Sequence, residues 1–363
     1  MMQFMVDLDD RSYPIIIEPS GLNHIGRSIR EHHCSKRVVV ITDETVMKLY
    51  GKRVQSALQQ ASIRSTTHVV PDGESSKSIE QVSNLYTELI ETNLHRDALV
   101  IALGGGVVGD LAGFVAATYL RGIDFIQIPT TLLAQVDSSV GGKVGINHPL
   151  GKNLIGSFYQ PRLVYIDPKV LTTLDRREMW AGLGEVVKYG LIWDNLFWTF
   201  MELHLKEISE LKDWDIISQM IDTCCRIKAE VVKKDEKESG LRRILNFGHT
   251  LGHALEVVTD YQYFKHGEAI VHGMRFAAWL SWQKAHLSKA DFERIEALLK
   301  QFEIPELPKN IDSQTLFEKT RIDKKQTREG LQFVCLDQIG RTKVEPVPDL
   351  SNQISGWLDY VRK

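Results

Sequence analysis

Short apolar runs alternate with stretches of helical period through the first half of the chain, and no other feature restricts the fold as strongly. Five runs have the β-branched character of buried strands, at 37–43, 62–70, 97–103, 125–129 and 163–166. Helical patterns at 45–60 and 78–93 lie between the first three of them. Strands that alternate with helices predict an α/β fold with a parallel sheet covered on both faces. Ligands of such sheets bind at the carboxyl ends of the strands.

The second half has a different pattern. From about residue 171, long helical periods dominate, at 176–189, 196–210, 216–234, 244–259, 267–285 and 289–302. A chain of 363 residues is long enough for two domains. We predict a Rossmann-like parallel-sheet domain over residues 1–170 and a mostly α-helical domain over residues 171–363. No low-complexity linker separates them, which favours close packing and an active site in the cleft between the two.

Charge and composition exclude several partner classes. The 44 Lys and Arg residues nearly balance the 47 Asp and Glu residues, so no basic field favours nucleic acid. No apolar run approaches the ~20 residues that a membrane helix needs, and the N-terminal residues lack the pattern of a secretory signal. The four cysteines form no C-x-x-C pair. We therefore expect a cytoplasmic protein with reduced thiols and without a nucleic-acid or membrane partner.

A glycine-rich turn follows the third predicted strand. Residues 104–109 fit G-x-G-x-x-G, with a helix predicted from Asp110. Such glycines let the backbone approach a pyrophosphate, and the helix N-terminus offers free N–H groups. A tight turn without a ligand is the alternative. The usual fingerprint opens its domain, whereas 103 residues precede this one. The ribose-binding acid would then be Asp43, for which a plain helix N-cap is the competing interpretation.

Further polar segments follow other predicted strands. The segment 71–77 and the pair Thr130–Thr131 fit either ligand contacts or turns and helix caps. Two glycine–lysine segments, ending at Lys143 and running from Gly151 to Asn153, would form an anion cradle of flexible backbone and ammonium groups. Solvated loop lysines are the alternative. The spacing of the first segment is not that of a Walker A loop.

The most specific pattern lies in the helical half. Glu185 and Lys188 are three residues apart and would share a helix face, although a surface ion pair is the alternative. Arg242, Asn246, His249 and His253 have spacings of four, three and four, so on a continuous helix they would form one stripe. Polar groups at core spacing should serve a ligand or metal, because burying them unpaired is costly. With His266 they suit Zn²⁺ or a similar ion, and the absence of H-E-x-x-H disfavours a protease.

Four of these segments together resemble the 3-dehydroquinate synthase family of sugar-phosphate cyclases. They are residues 104–110, 129–143, 151–156 and 246–254, and the similarity extends from about residue 43 to residue 340. The resemblance implies NAD, one divalent metal ion (Zn or Co) and the second reaction of the shikimate pathway, which leads to aromatic amino acids. That reaction converts 3-deoxy-D-arabino-heptulosonate 7-phosphate to 3-dehydroquinate and phosphate by transient oxidation, elimination, re-reduction, ring opening and aldol closure.

The resemblance also implies roles for individual residues. The implied metal ligands are Glu185, His249 and His266. The implied catalytic contacts to the ring and carboxylate are Asp137, Lys188, Lys228, Asn246 and His253. The implied NAD-binding residues are Asp43, Asp72, Gly73, Glu74, Lys77, Gly105, Gly106, Val107, Gly109, Asp110, Thr130, Thr131, Lys143 and Lys152. The implied phosphate contacts are Lys143, Asn153, Arg242, either Lys324 or Lys325 with Lys325 favoured, and Arg121 across the interface of a homodimer.

Three other functions remain open at this point. A polyol dehydrogenase would also use NAD and a metal, but it would not need Lys143, Lys152, Asn153 and Arg242 together, because no phosphate leaves. A related cyclase for another sugar phosphate would change the ring contacts, and the intact run 137–143 favours dehydroquinate synthase over it. A non-catalytic metal- or nucleotide-binding protein is the third.

Overall fold

The computed structural model describes residues 1–33, 37–320 and 331–362. The chain divides into two compact units. Unit 1 comprises Met1–Leu174 and Leu211–Lys233, and unit 2 comprises Asp175–Glu210 and Lys234–Lys363. The two predicted domains, 1–170 and 171–363, differ from these units mainly in where 211–233 belongs, and that boundary stays a prediction.

A seven-stranded sheet forms the centre of unit 1, in the order β1-β2-β9-β6-β5-β3-β4. The first two strands pair antiparallel, and all the other neighbours pair parallel. The strands of this sheet are β1 (Met2–Val6), β2 (Tyr13–Ile17), β3 (Arg37–Asp43), β4 (Arg64–Val70), β5 (Leu99–Gly104), β6 (Asp124–Pro129) and β9 (Leu163–Ile166). All five predicted runs are strands of it, which confirms the α/β class, whereas β1 and β2 were not predicted.

The helices complete both units. In chain order they are α1 (Ile25–His32), α2 (Glu44–Val46), α3 (Lys52–Gln60), α4 (Ile79–Glu91), α5 (Gly106–Thr118), α6 (Arg176–Ile192), α7 (Asn195–Ser209), α8 (Trp214–Lys234), α9 (His249–Val258), α10 (His266–Gln283), α11 (Lys289–Leu299), α12 (Ser313–Thr320) and α13 (Leu350–Val361). None of them, within the described residues, is long and apolar enough to cross a membrane.

The inner strands of the sheet are buried on both faces, which explains their continuous apolar runs. Side chains alternate between the two faces of a strand, so Val39 and Ile41 of β3 join one hydrophobic cluster and Val38 and Val40 join the other. The central strand β5 is buried along its whole length. Parallel strands covered on both faces read as uninterrupted apolar segments, and this is why their positions could be predicted.

Only the second of the two glycine–lysine segments is a strand. Gly141 and Gly142 of the first segment lie in a turn, at φ values of +100° and +67°, whereas residues 151–153 belong to a strand, which corrects their prediction as a loop. Lys143 begins β7 (Lys143–His148), and Gly151 begins β8 (Gly151–Phe158), with which β7 pairs antiparallel. Gly145 lies opposite Gly156, and a Cβ on Gly145 would come within 2.7 Å of the Ile155 carbonyl oxygen. Gly145 and Gly156, which lie outside the two predicted segments, therefore allow the two backbones to approach closely.

Among the described residues of unit 2, one hairpin accompanies the helices. Strand β10 (Leu331–Gln338) pairs antiparallel with β11 (Arg341–Val347), and neither was predicted. Gly340 turns the chain between them with a φ of +86°.

The predicted continuous helix over 244–259 is wrong. A 3₁₀ helix covers Leu241–Asn246, and α9 begins only at His249. Gly248, at a φ of +79°, separates the two, and a Cβ there would lie 2.6 Å from Cγ of Met274. Glycine adopts this left-handed conformation without strain. Arg242 and Asn246 therefore do not share one helical stripe with His249 and His253.

Candidate active site

The glycine-rich turn links β5 to α5 in unit 1. Gly105 is the N-cap, and the helix begins at Gly106 rather than at the predicted Asp110. A Cβ on Gly105 would lie 3.0 Å from Cγ2 of Thr131, and one on Gly106 would lie 3.1 Å from Oγ of Ser138. Because neither glycine has a side chain, the backbone at the start of α5 stays open beside Thr131 and Ser138. A helix N-terminus with such an open backbone suits a pyrophosphate.

Val107 and Gly109 belong to the first turn of α5. The Gly109 N–H donates to the Gly105 carbonyl, so it is already used within the helix. A Cβ on Gly109 would come within 2.8 Å of Oε1 of Gln127, a residue of β6. Close packing of the helix on the sheet is therefore the observed role of Gly109.

Asp43 lies at the carboxyl end of β3 and caps the following helix. Its Oδ1 accepts a hydrogen bond of 2.7 Å from the Val46 N–H. Next to it, Asp72 accepts from the backbone and the hydroxyl of Thr45, at 3.0 and 2.7 Å. Burial is the main cause that raises the pKa of Asp43, and the Asp72 charge adds to it. The helix-cap interpretation therefore describes an observed contact, and the ribose contact stays a prediction.

Lys77 collects several of the predicted NAD and phosphate residues around its ammonium. It is only 4% exposed and donates to Asp110, at 2.7 Å, and to Oδ1 of Asn153. Glu74 lies 3.7 Å away and accepts from the amide of Asn147. Burial raises the pKa of Asp110, and the Lys77 charge opposes this. Lys77 is thus a buried cation within unit 1 whose charge is compensated by neighbouring carboxylates.

Thr130 and Thr131 follow β6. Thr130 donates its N–H to the Gly104 carbonyl, and the Thr131 hydroxyl accepts from the Ala134 N–H at 3.2 Å. Thr131 therefore caps the helical turn, which was the alternative interpretation, while it also lies against Gly105.

Asp137 and Lys228 form an ion pair within unit 1. Asp137 lies in a π-helical turn over Ala134–Ser138, and Lys228 lies on α8. The Lys228 ammonium is 2.9 Å from Oδ1 of Asp137 and donates to its carbonyl at 2.6 Å. The structure thus brings together two of the predicted catalytic residues that are 91 positions apart in the chain.

The predicted metal ligands converge within unit 2. Glu185 is 1% exposed, and its Oε1 lies 3.4 Å from Nε2 of His249 and 3.6 Å from Nε2 of His266. This Oε1 has no hydrogen-bond partner among the described residues. The other oxygen accepts from the ammonium of Lys188, one helical turn later. An unsatisfied buried carboxylate oxygen that faces two imidazole nitrogens fits a divalent cation.

The two imidazoles are oriented by different partners. Nδ1 of His249 lies 3.1 Å from the Phe247 carbonyl oxygen, and Nδ1 of His266 lies 3.1 Å from Oε2 of Glu256. A proton on each Nδ1 leaves Nε2 as the atom available to a metal. Sequence reasoning did not assign a role to Glu256. Its position seven residues after His249, two turns along α9, is the signal that could have found it.

Burial and neighbouring charges shift the pKa values of Glu185, His249 and His266. Although burial would raise the pKa of Glu185, the charges of Lys188 and the histidines lower it well below its usual range. Burial lowers the pKa of His249. Burial would also lower the pKa of His266, but the nearby carboxylates of Glu185 and Glu256 overcome this effect and raise it to about 10. The carboxylate is therefore held ionised, as a metal ligand must be.

The remaining described residues predicted for the site in unit 2 lie around these ligands or in the 3₁₀ helix before α9. His253 stacks its ring edge-on against His249 at 5.3 Å, and the imidazoles of His249, His253 and His266 each offer a nitrogen within 4.8 Å of the others. Asn246 donates to Glu238 at 3.1 Å. Arg242 is 2% exposed and donates to the Glu236 carbonyl at 2.6 Å.

The remaining predicted residues are exposed or lie outside the described part of the chain. Lys143, Lys152 and Arg121 are exposed. Lys324 and Lys325 lie outside the described residues.

Comparison with known proteins identifies the family. Models of the N-terminal and C-terminal parts of 3-dehydroquinate synthase match residues 67–181 and 182–326. A 3-dehydroquinate synthase from Desulforamulus reducens is 49% identical over 345 residues, which cover 95% of this chain and 96% of the relative.

Two solved structures are also similar over nearly the whole chain. The 2-epi-5-epi-valiolone synthase from Streptomyces hygroscopicus subsp. jinggangensis 5008, with NAD⁺ and Zn²⁺ bound, has a TM-score of 0.89 at 25% identity and covers 98% of each chain. A 2-deoxy-scyllo-inosose synthase with carbaglucose-6-phosphate, NAD⁺ and Co²⁺ has a TM-score of 0.88 at 26% identity, covering 98% of this chain and all of the other. Two family models that together span most of the chain, and a relative at 49% identity, lead to one conclusion: this chain belongs to the 3-dehydroquinate synthase family.

Proposed function

We propose that the chain is an NAD- and metal-dependent 3-dehydroquinate synthase, a carbon–oxygen lyase of the shikimate pathway. It converts 3-deoxy-D-arabino-heptulosonate 7-phosphate to 3-dehydroquinate and releases phosphate. The observation that carries the proposal is the similarity to the Desulforamulus reducens enzyme, which extends over 95% of the chain. We place the enzyme in the cytoplasm, where the free thiols of Cys224, Cys225 and Cys335 would stay reduced.

Glu185, His249 and His266 would hold one Zn²⁺ or Co²⁺ ion. The donor set of one carboxylate and two imidazoles suits either metal and leaves coordination positions open for substrate oxygens. NAD would lie along the turn after β5, with its pyrophosphate against Gly105 and Gly106. When bound, the metal supplies Lewis acidity and NAD supplies a reversible hydride acceptor.

The protein's own residues would orient the sugar and handle its protons. Lys188 is held by Glu185 and would donate to a substrate hydroxyl oxygen. His253, beside both metal-binding histidines, would hold or release a proton there. Lys228 and Asp137 form a fixed donor–acceptor pair, which suits a hydroxyl or the carboxylate of the substrate. Each of these side chains is already oriented by a neighbour, so little reorganisation is needed.

The phosphate would be bound by cationic and neutral donors of the same chain, which are Arg242, Lys143, Asn153 and Lys325. Arg121 of the partner subunit would complete the set. Arginine offers a planar fork, lysine a mobile point charge, and asparagine a neutral N–H. A dehydrogenase of polyols has no phosphate to release, so this set favours the cyclase.

Turnover with the heptulosonate 7-phosphate tests the function directly. We expect phosphate release that requires NAD and stops after a chelator, while NADH does not accumulate, because the hydride returns to the substrate. Stoichiometric NADH from polyols would support a dehydrogenase instead, and no turnover with either substrate would support a binding protein.

The assignment of Asp43 to the ribose can be separated from its role as a helix cap. Asp43→Ser keeps a side-chain oxygen for the cap but loses the charged acceptor. We expect NAD affinity to weaken about 10- to 150-fold, the effect of one hydrogen bond to a charged group. Calorimetric titration with NAD measures it, and Asp97→Ser, which changes an exposed acid of the same unit, is the control. Equal NAD affinity in both variants would refute the ribose contact.

The homodimer can be tested by complementation. We propose that Arg121 of the partner subunit completes each phosphate site, so Arg121→Ala and Arg242→Ala chains should each be nearly inactive. In a mixed dimer one site receives both intact arginines. Co-expressed chains in equal amounts should therefore regain about a quarter of wild-type turnover, since half the dimers are mixed and one of their two sites is intact. No recovery in isolated mixed dimers would show that Arg121 acts within its own chain.

A further inference from the structure

The two histidines proposed as metal ligands differ in how firmly the protein holds them. The His249 side chain is 12% exposed, and its Nδ1 faces a backbone carbonyl. The His266 side chain is 36% exposed, so packing restrains its ring less. The backbone of His266 is fixed, because Glu268 accepts from the Lys265 N–H at 2.7 Å at the start of α10. The orientation of the imidazole ring therefore depends on contacts with other side chains.

Glu256 is the side chain that contacts this ring on the side away from Glu185. It lies on α9, is 6% exposed, and places Oε2 3.1 Å from Nδ1 of His266. Nε2 of the same ring lies 3.6 Å from Oε1 of Glu185. The two carboxylates thus bind opposite edges of one imidazole. An ionised carboxylate accepts but cannot donate, so when Nε2 binds a cation in place of its proton, Glu256 keeps the remaining proton on Nδ1.

We propose that Glu256 is a positioning residue for the metal site: it fixes the ring angle and tautomer of His266 and makes Nε2 a stronger donor to the ion. The inference rests on the proposed metal site. Carboxylates that hold the far nitrogen of a ligating histidine have this effect in metalloproteins, where their loss weakens metal affinity 10- to 100-fold. The contact of Glu256 is with His266, whereas Nδ1 of His249 faces the backbone carbonyl of Phe247.

The test measures metal affinity, independently of turnover. Zn²⁺ and Co²⁺ dissociation constants are determined by chelator competition for the wild type, Glu256→Gln and Glu256→Ala. We expect a 10- to 100-fold loss for alanine. Glutamine keeps a neutral acceptor of the same shape, so its loss should be smaller. The visible absorption of bound Co²⁺, which reports ligand geometry, should change in the alanine variant.

Glu296→Gln is the matched control. Glu296 is also a nearly buried glutamate of unit 2, with two hydrogen bonds from Arg275 at 2.9 and 3.0 Å. Its loss should change thermal stability without changing the Co²⁺ spectrum or metal affinity. The near-isosteric Glu256→Gln variant keeps the test informative if Glu256→Ala does not fold.

A double-mutant cycle shows whether Glu256 acts through His266. In a His266→Ala background, Glu256→Gln should cause no further loss of Co²⁺ affinity, because the ring that it orients is gone. Equal losses in the presence and absence of His266, or wild-type affinity in both Glu256 variants, would overturn the positioning role. If the wild type itself bound neither ion, the proposed metal site would fail, and the positioning role with it. A wild type that binds metal alongside unaffected Glu256 variants would reject the positioning role alone.

Discussion

Replacing His249 by alanine is expected to remove the bound metal ion and to lower kcat/KM at least ~10³-fold, since Lewis-acid stabilisation is worth several kcal/mol and each 1.4 kcal/mol is a factor of ten. His249 lies 3.4 Å from the one carboxylate oxygen of Glu185 that has no hydrogen-bond partner in the described structure. Without the imidazole, the proposed site keeps only Glu185 and His266. Elemental analysis after dialysis measures the metal, and phosphate release from the 7-phosphate measures the activity.

His204→Ala serves as the control for this variant. His204 lies on α7 of the same unit and is not one of the candidate metal ligands. Its Nδ1 lies 2.8 Å from Oε2 of Glu207. Its replacement should leave metal content and kcat/KM within about twofold of the wild type, as for most surface substitutions. Full metal occupancy in His249→Ala, with an intact fold, would show that the ion is held elsewhere.

The strands of unit 1 could be predicted because their physical cause is local. Residues 37–43 and 163–166 coincide with β3 and β9, since a strand buried on both faces needs an uninterrupted apolar run. Strands with one exposed face carry a weaker signal. In β8, Lys152, Asn153 and Leu154 are all exposed, so its pattern resembles that of a polar loop.

The candidate site shows where local patterns stop being sufficient. The spacing of Arg242, Asn246, His249 and His253 indicates one helix, but Gly248 breaks it at a φ of +79°. Met274 leaves no room for a side chain at this position. That restriction comes from α10, a separate helix. The contact between Glu256 and His266 likewise depends on how α9 packs against α10. Which residue types gather could be predicted from motifs, but which atoms meet depends on tertiary packing.

Replacing Arg242 by alanine is expected to reduce kcat/KM for the 7-phosphate about 30- to 5,000-fold, the effect of a lost charged contact worth about 2–5 kcal/mol. The guanidinium is buried and donates to the Glu236 carbonyl, so its orientation is set before substrate binds. Its backbone N–H donates to Asp235, which also accepts from Ser239 and Gly240. Although burial would raise the pKa of Asp235, these hydrogen bonds hold it well below the usual range, so the carboxylate stays ionised and orders the loop.

The neighbouring arginine provides the control for this prediction. Arg243 is exposed, so Arg243→Ala removes a positive charge from the same segment and leaves the buried guanidinium of Arg242 in place. Both variants should keep wild-type NAD affinity and metal content, because the loss concerns the non-reacting end of the substrate, whose binding energy positions the ring. Arg242→Lys restores the charge but not two parallel N–H donors, and it should recover only part of the rate. Near-native kcat/KM in Arg242→Ala would remove Arg242 from the phosphate site and would favour a dehydrogenase, which needs no such contact.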